Sequence, residues 1–439
     1  MSLGYISGTL PSEWETPFLV DLVSPKQWKT IPTKELTDDG YIVYGANGKI
    51  GFYNKYTHES ATLMITCRGA TCGNLHISEP LSYINGNAMA LDNRPTNYLN
   101  IKYLKYSLQA RGLQDTISGS AQPQITKQGL EKVQIPLPPL AEQKIIAEKL
   151  DILLAQVDST KARLEQIPQI LKRFRQAILA AAISGKLTES WRNEQGTNFS
   201  KWENTFFENI CTEITVGYVG KMLDRYQSEG IPFLRSQNVR EFKFSDKNLL
   251  YITESFHKEI FKSRLTPGDL AIVRSGAPGT TCVIPNSLPV ANCSDLVIAR
   301  PSEKLNSSFG CIFMNSNVAK ANVSENRVGI AQQHFNVGSM KKMPIHLPPI
   351  SEQQEIVRRV EQLFAYADTI EKQVNNALTR VNNLTQSILL KTFRGELTTQ
   401  WRAENPDLIS GENSAAALLE KIKSERADSS SKKVSRKKA

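Results

Sequence analysis

At 439 residues, with 40% hydrophobic and 8% aromatic residues, the chain is long enough to bury two or three ordinary cores. The net charge of +10 is uneven: eight Lys/Arg against Glu425 and Asp428 lie from Lys421 onward, so the body is only mildly basic, compatible with nucleic acid without requiring it. No apolar run is long enough to span a membrane, the opening Met1-Ser-Leu-Gly-Tyr-Ile-Ser-Gly-Thr-Leu10 lacks a basic leader and an apolar segment of signal type, and the six cysteines form no Cys-x-x-Cys pair and read as reduced thiols of a cytosolic protein.

In chain order, residues 1–136 read as a first β-rich block. Tyr41–Tyr53 has β-prone runs either side of Asn47-Gly48, a hairpin signal. Ala61–Asn74 reads as a buried strand entering a Gly-rich loop, Asn97–Ala110 as a short helix, and Gln122–Thr126 as a further extended segment. Residues 137–184 form a long helix and 185–200 a linker. Residues 201–346 repeat the first block in outline: Phe199-Ser-Lys-Trp202 answers Leu10-Pro-Ser-Glu-Trp14, Leu270–Thr281 answers Leu63–Asn74, and Gly329-Ile-Ala-Gln-Gln333 answers Gly119-Ser-Ala-Gln-Pro123. A second long helix over 347–394 and a C-terminal segment over 395–439 follow, with a short helix expected at Ala415–Glu425 and disorder from Ala427.

The two helical segments are copies. Ile135-Pro-Leu-Pro-Pro-Leu-Ala-Glu-Gln143 returns as Ile345-His-Leu-Pro-Pro-Ile-Ser-Glu-Gln353, and Gly185-Lys-Leu-Thr-Glu-Ser-Trp-Arg192 as Gly395-Glu-Leu-Thr-Thr-Gln-Trp-Arg402. Eighteen of the 58 aligned positions are identical. Apolar residues at alternating steps of four and three make a heptad seam in each: Ile146, Leu150, Leu153, Val157 and Leu164 in the first, Ile356, Val360, Leu363, Ile370 and Val374 in the second. Two rods with one apolar stripe each most simply bury those stripes against one another, and about 43 helical residues span roughly 64 Å, the length of about 19 base pairs. Pro168 is expected to kink or interrupt the first rod.

Catalytic chemistry is absent from the pattern. The Pro-Pro pairs have Leu before them rather than the Asn or Asp of an amino-methyltransferase loop, and Gly45–Ile50, Gly217–Met222 and Gly276–Thr281 lack P-loop spacing. The histidines are isolated; His334, beside Gln332-Gln333, reads as a solvated loop residue. Asp269 has no Glu-x-Lys partner at nuclease spacing and reads as a turn residue at strand entry.

Two dissimilar β-rich blocks, each closed by Leu-Pro-Pro-hydrophobic-x-Glu-Gln and a long helix, resemble the specificity subunits of type I restriction–modification systems. The segment Lys161–Ala177 followed by Gly185–Arg192 is similar to the central region of the enterobacterial, type IA-like subclass, and the resemblance runs to about Arg402; Pro168 lies in that segment, so the resemblance implies that the rod tolerates it. It implies an α+β architecture of two target recognition domains alternating with helices that pair as an antiparallel coiled coil, with pseudo-two-fold symmetry. Each domain would read one half of a bipartite, asymmetric site in double-stranded DNA. Two modification subunits and two restriction subunits would be partners, and S-adenosylmethionine, ATP and Mg would belong to them, with no cofactor or metal in this chain. The repeat also admits a stand-alone DNA-binding scaffold or regulator; a self-sufficient enzyme is disfavoured by the missing cofactor motifs.

Base readout calls for Arg, Asn, Gln and hydroxyl groups on loops that reach a groove. The candidates are Asn47, Lys49, Arg68, Thr71, Asn74, Gln122 and Gln124 in the first block, and Arg235, Gln237, Asn238, Arg240, Arg274, Ser275, Thr280, Gln332 and Gln333 in the second, each with an alternative as a turn former or solvated side chain. Lys26, Lys221 and Arg225 suit phosphate contacts, which position without specifying. The seam residues suit packing, while Glu142, Gln143, Glu352 and Gln353 are expected on exposed faces that dock partners. The basic tail suits either a non-specific DNA arm or a solubilising end.

Overall fold

The computed structural model describes residues 3–4, 6, 8–119, 122–325 and 335–436. The chain divides into two compact units, one of residues 1–165 with 376–439, the other of residues 166–375. Each unit therefore combines one β-rich block with the near half of one rod and the far half of the other.

The rods are helices Leu140–Ile183 and Ile350–Thr392. The first runs through Pro168 without interruption. Pro168 is exposed, so the carbonyl one turn back, which loses its amide donor, lies where water can replace it. The heptad seam faces inward: Ile146, Leu150, Val157, Ile356, Val360 and Val374 are buried, and Leu153, Leu164, Leu363 and Ile370 are half-buried. In the first unit Ile146 and Leu150 share a core with Leu389 and Phe393, and in the second Ile178, Leu179 and Ala182 share one with Ile356 and Val360. Within each unit the segments run antiparallel. The start of the first rod meets the chain just past the end of the second (Lys149 Nζ to the Leu397 carbonyl, 3.2 Å), and Arg175 pairs with Asp368 at 2.6 Å and Glu371 at 2.8 Å.

The blocks share one topology. In the first, Ser24–Gln27, Ala88–Asp92, Leu63–Thr66 and Leu75–Ile77 lie in that order in an antiparallel sheet; in the second, Cys211–Val216, Leu296–Pro301, Leu270–Val273 and Thr281–Val283 do the same. A second sheet in each holds one parallel pair, Tyr41–Gly45 with Tyr83–Ile84 and Ile231–Leu234 with Ala291–Cys293. The expected hairpin closes with Gly45 opposite Gly48, and the expected helix forms at Ile101–Arg111, capped by the Asn100 carboxamide.

Glu142, Gln143, Glu352 and Gln353 are all buried, at 2% exposure or less, which corrects the expectation of exposed docking faces. The Glu142 carboxylate accepts from Trp14 Nε1 (2.8 Å), Thr398 Oγ1 (2.6 Å) and Arg402 Nη1 (2.7 Å). Glu352 accepts from Trp202 Nε1 (2.8 Å), Thr188 Oγ1 (2.7 Å) and Arg192. Gln143 accepts from the Asn100 amide (3.0 Å) and donates to the Tyr98 and Pro138 carbonyls; Gln353 accepts from the Asn306 amide (2.8 Å) and donates to those of Lys304 and Pro348. The glutamate thus fastens the Leu-Thr-x-x-Trp-Arg turn that follows the other rod, and the glutamine fastens the recognition block. Each turn begins at a left-handed glycine, Gly185 (φ +77°) or Gly395 (φ +79°). A Cβ there would come within 2.3 Å of the Phe199 ring or 2.2 Å of Pro11. The 185–200 segment is accordingly packed structure at its start, with Thr188 and Arg192 buried.

The C-terminal helix runs Ala415–Arg436, well past the expected end. Ala415, Leu418 and Ile422 are buried, and Arg426 Nη2 donates to the Val20 and Val23 carbonyls (3.1 and 3.3 Å), so the tail's first turns are anchored to the first unit. Among the described residues no helix is long and apolar enough to cross a membrane.

Removing a carboxylate from a buried ion pair strands its partner's charge, at a cost of about 3–5 kcal/mol. Glu352→Ala should therefore lower the unfolding midpoint of the second unit, and Glu142→Ala that of the first; an unchanged calorimetric profile in either variant would remove the anchor role. Glu355 accepts from Arg358 (2.7 and 2.8 Å) and Arg359 (2.6 Å), and Arg359 donates to the Leu187 carbonyl at 2.8 Å. The Arg358 hydrogen bonds hold the Glu355 carboxyl down at about 2, below its ordinary 4.5. A depressed carboxyl contributes stability that is present above the ordinary value and lost as pH falls towards 2. Glu355→Gln should flatten the loss of stability on acidification, measured by urea unfolding across that range.

Candidate nucleic-acid interface

In the first unit three loops converge. The hairpin tip carries exposed Asn47, whose carboxamide oxygen accepts from Thr71 Oγ1 in the loop after Leu63–Thr66. That loop also carries exposed Arg68, paired by an isolated antiparallel bridge with exposed Gln124. Gly69 N donates to the Pro123 carbonyl (3.1 Å) and Ile125 N to that of Cys67 (3.0 Å), locking the third strip, with exposed Gln122, against the second. Exposed Asn74 closes the Arg68 loop with its backbone, its carbonyl accepting from Thr66 N at 2.8 Å. Lys49 is held by Glu79 at 2.6 Å, a hydrogen bond that raises its pKa. Lys26 is apart from this group, exposed on the edge strand with its ammonium 3.4 Å from the Trp28 ring centre.

The second unit builds the two described loops of the matching edge from different side chains. Arg235 Nη2 and Gln237 Nε2 both donate to the Asn248 carbonyl, at 3.2 and 3.3 Å. Arg240 is exposed, opposite Lys243 on a two-residue ladder. Arg274 pairs with Asp295 at 3.2 Å, and Ser275 Oγ donates to the same carboxylate at 3.2 Å. The Nε atoms of Arg235 and Arg274 are buried without a hydrogen-bond partner. Phe335 N donates to the Arg274 carbonyl (3.3 Å), reproducing the Ile125–Cys67 bond of the first unit. Gln332 and Gln333, with His334, lie outside the described residues. Lys221 and Arg225 are exposed on one loop, with the Arg225 guanidinium 4.7 Å from the Phe256 ring centre.

One candidate changes role. Asn238 is fully buried; its carboxamide accepts from Arg235 N (3.0 Å) and donates to the Ser245 and Lys247 carbonyls, so it shapes the loop that carries Arg235 and Arg240. Thr280 is half-buried and closes the Arg274 loop through its carbonyl, which accepts from Val273 N at 2.9 Å. Asp269 is the turn residue expected, accepting from Thr266 N at 2.9 Å and Thr266 Oγ1 at 3.1 Å; burial raises its pKa. Asp295 is the site residue that sequence reasoning missed, since an acid after a strand carries no readout signal by itself. No cluster suited to a metal ion occurs among the described residues. The free cysteines are thiols whose pKa burial raises, Cys211 and Cys282 to about 12.

Residues 11–169 and 199–380 match the family model described as type I restriction modification DNA specificity domain. The chain belongs to this family. It is 50% identical over 344 residues to the EcoKI specificity subunit of Escherichia coli K12, covering 77% of this chain and 73% of that one. It is 42% identical over 415 residues to the StySPI specificity subunit of Salmonella potsdam, covering 93% and 85%. In fold, it matches a chain from a type I restriction–modification system solved for its complex assembly and conformational transition (TM-score 0.68, 16% identity, 89% of this chain and 100% of that one). It likewise matches the HsdS subunit from Thermoanaerobacter tengcongensis (TM-score 0.57, 17% identity, 88% and 98%).

Within this family member, Asn238 and Arg240 should behave oppositely despite lying two residues apart. Asn238→Ala removes three hydrogen bonds between a buried carboxamide and part-buried backbone groups and should cost about 1–3 kcal/mol of stability. Arg240→Ala removes an exposed side chain and should change stability by no more than about 0.5 kcal/mol. Equal melting temperatures for the two variants would overturn the assignment of Asn238 to the framework.

Proposed function

We propose that the chain is the DNA sequence-recognition subunit of a type I restriction–modification complex and catalyses nothing itself. The observation that carries this reading is the doubled edge: the first unit presents exposed Asn47, Arg68, Gln122 and Gln124 from three loops, and on the matching frame the two described loops of the second present exposed Gln237 and Arg240 beside half-buried Arg235, Arg274 and Ser275, so the two sets differ. Two unlike reading edges on one framework suit a bipartite, asymmetric site in double-stranded DNA. Arg68, Arg235, Arg240 and Arg274 suit guanine edges; Asn47, Gln124 and Gln237 suit adenine. Lys26, Lys221 and Arg225 suit phosphates.

The paired rods set the unread spacer and carry two modification subunits, with two restriction subunits added to the assembly. Since Glu142, Gln143, Glu352 and Gln353 are consumed internally, docking falls to the outer rod faces, where Ile152 (60% exposed), Ile170 (57%) and Tyr366 (62%) are bare. S-adenosylmethionine serves the modification subunits, and ATP and Mg the restriction subunits; the work of this chain is intracellular.

Co-expression with the modification and restriction genes of the same operon, affinity purification and methylome sequencing test this. The expected outcome is a stable complex and N6-methyladenine in both halves of one split motif. A chain that binds DNA specifically with neither partner nor methylation would instead be a stand-alone scaffold or regulator. On a duplex carrying the motif so found, Arg240→Ala and Arg274→Ala should each weaken binding by about 1–3 kcal/mol and relax the motif at one position; unaltered affinity and motif would strike that residue from the reading edge.

A further inference from the structure

The loop from Tyr218 to Tyr226 in the second unit has a feature that base and phosphate contacts leave unexplained. Tyr218, Met222 and Tyr226 turn inward and pack on the core of Phe233, Ile252, Phe256 and Ile260. Between them Val219 is 72% exposed and Leu223 is 88% exposed. The loop is fastened: Tyr218 N donates to the Cys293 carbonyl (2.8 Å), Gln227 N to that of Tyr251 (2.9 Å), and Arg225 stacks over Phe256. Two bare apolar side chains are therefore held out by a loop pinned at three points. Lys221 is exposed between them and exposed Arg225 follows.

The loop adjoins the reading edge. Tyr218 bridges to Ser294, which neighbours Asp295, the residue that holds Arg274 and Ser275. The Tyr226 ring lies 5.9 Å from the Arg235 guanidinium. The first unit supplies an internal comparison. Its short 3-10 turn Thr33–Glu35 corresponds to Leu223–Arg225, and its bridge Thr37–Phe52 to Gln227–Tyr251. In that alignment Val219 and Leu223 stand where the first unit has exposed Lys29 and Thr33. Backbone and turn repeat, and the apolar pair belongs to one copy alone.

The geometry points to an apolar wedge: Leu223, backed by Val219, enters the base stack of the duplex at the half-site read by residues 201–346, with Lys221 and Arg225 on the flanking phosphates. Proteins that open a base step in this way insert aliphatic side chains from a cationic surface and recover the unstacking cost through added contact. Stiff and easily opened steps differ in that cost, so the wedge selects sequence at a position that no polar side chain reads. The first unit, with Lys29 and Thr33 at these places, leaves its half-site stacked. The inference rests on the chain being a DNA reader, and its test begins from a complex already shown to methylate a split motif.

The motif duplex is substituted with 2-aminopurine at one step at a time, and fluorescence is read with the wild-type complex and with Leu223→Ala, Val219→Ala and Thr33→Ala complexes of unchanged melting temperature. The wild type should brighten one step of one half-site other than the methylated adenine. Leu223→Ala should abolish that signal and weaken motif binding roughly tenfold, Val219→Ala should reduce both, Leu223→Met should retain them, and Thr33→Ala should be silent. Specific methylation with no brightened step beyond the target adenine would overturn the wedge and leave the DNA-reading function standing. Brightening that survives Leu223→Ala would also overturn it, as would loss of partner subunits from the Leu223→Ala complex, which would make the apolar pair a protein contact. Absence of any methylated motif would be a failure of the function, read before the wedge is tested.

Discussion

A single buried carboxylate, placed twice, is what the rest of the architecture depends on. Glu142 and Glu352 each sit in the first turn of a rod and gather an indole N–H, a threonine hydroxyl and an arginine. Such a group is expensive to bury and worth keeping only when every lone pair has a donor. The donors come from far away in sequence: Trp14 and Arg402 are 128 and 260 residues from Glu142. One side chain therefore fixes where the block enters, where its rod begins and where the other rod ends. A misaligned rod would leave both a buried carboxylate and a buried guanidinium unpaired, so the ion pair specifies register more than it adds stability.

Beside it, the adjacent glutamine carries the fixed geometry into the recognition block. Gln143 and Gln353 each take an amide from the N-cap of a block helix, at Asn100 and Asn306. The helix so placed packs its inner face on the sheet that leads to the reading loops; Tyr103 and Phe309, three residues past each cap, are fully buried. Position thus passes from rod to cap to sheet to loop through buried contacts.

Much of this was legible in the sequence, and the reasons are local. The heptads of both rods, the Asn47-Gly48 hairpin and the correspondence of Trp14 with Trp202 follow from short-range periodicity and turn chemistry. What failed depended on distant partners. Glu and Gln just after a Leu-Pro-Pro turn suit the positive end of a helix, and nothing nearby shows that an indole and a guanidinium will close over them. Asn238 looked like a reader because it stands between Arg235 and Arg240; its role is set by the Ser245 and Lys247 carbonyls that fold back onto it. Pro168 is a helix breaker by local rule alone; the rod tolerates it, as the resemblance implies, because its exposure leaves the broken bond to solvent. The helix expected at Ala415–Glu425 forms, with Ala415, Leu418 and Ile422 buried, and continues to Arg436 through residues whose composition alone suggests disorder.

The division between fixed and free positions has a physical basis. The loop that carries Arg68 and the one that carries Arg274 are held by the same backbone bonds: Gly73 N to the Thr66 carbonyl matches Gly279 N to that of Val273, and Ile125 N to that of Cys67 matches Phe335 N to that of Arg274. Because these main-chain bonds recur in both loops although the side chains around them differ, side chains can change there with little movement of the frame. Cys67 in one copy and Arg274 in the other occupy the same point in that ladder, the first buried and bonded to the Asn87 carbonyl, the second reaching Asp295. A reading edge built this way can change what it reads by side-chain substitution alone, whereas a change at Glu142, Gln143 or their partners would displace every loop at once. Rods that repeat and loops that diverge are what that arrangement permits.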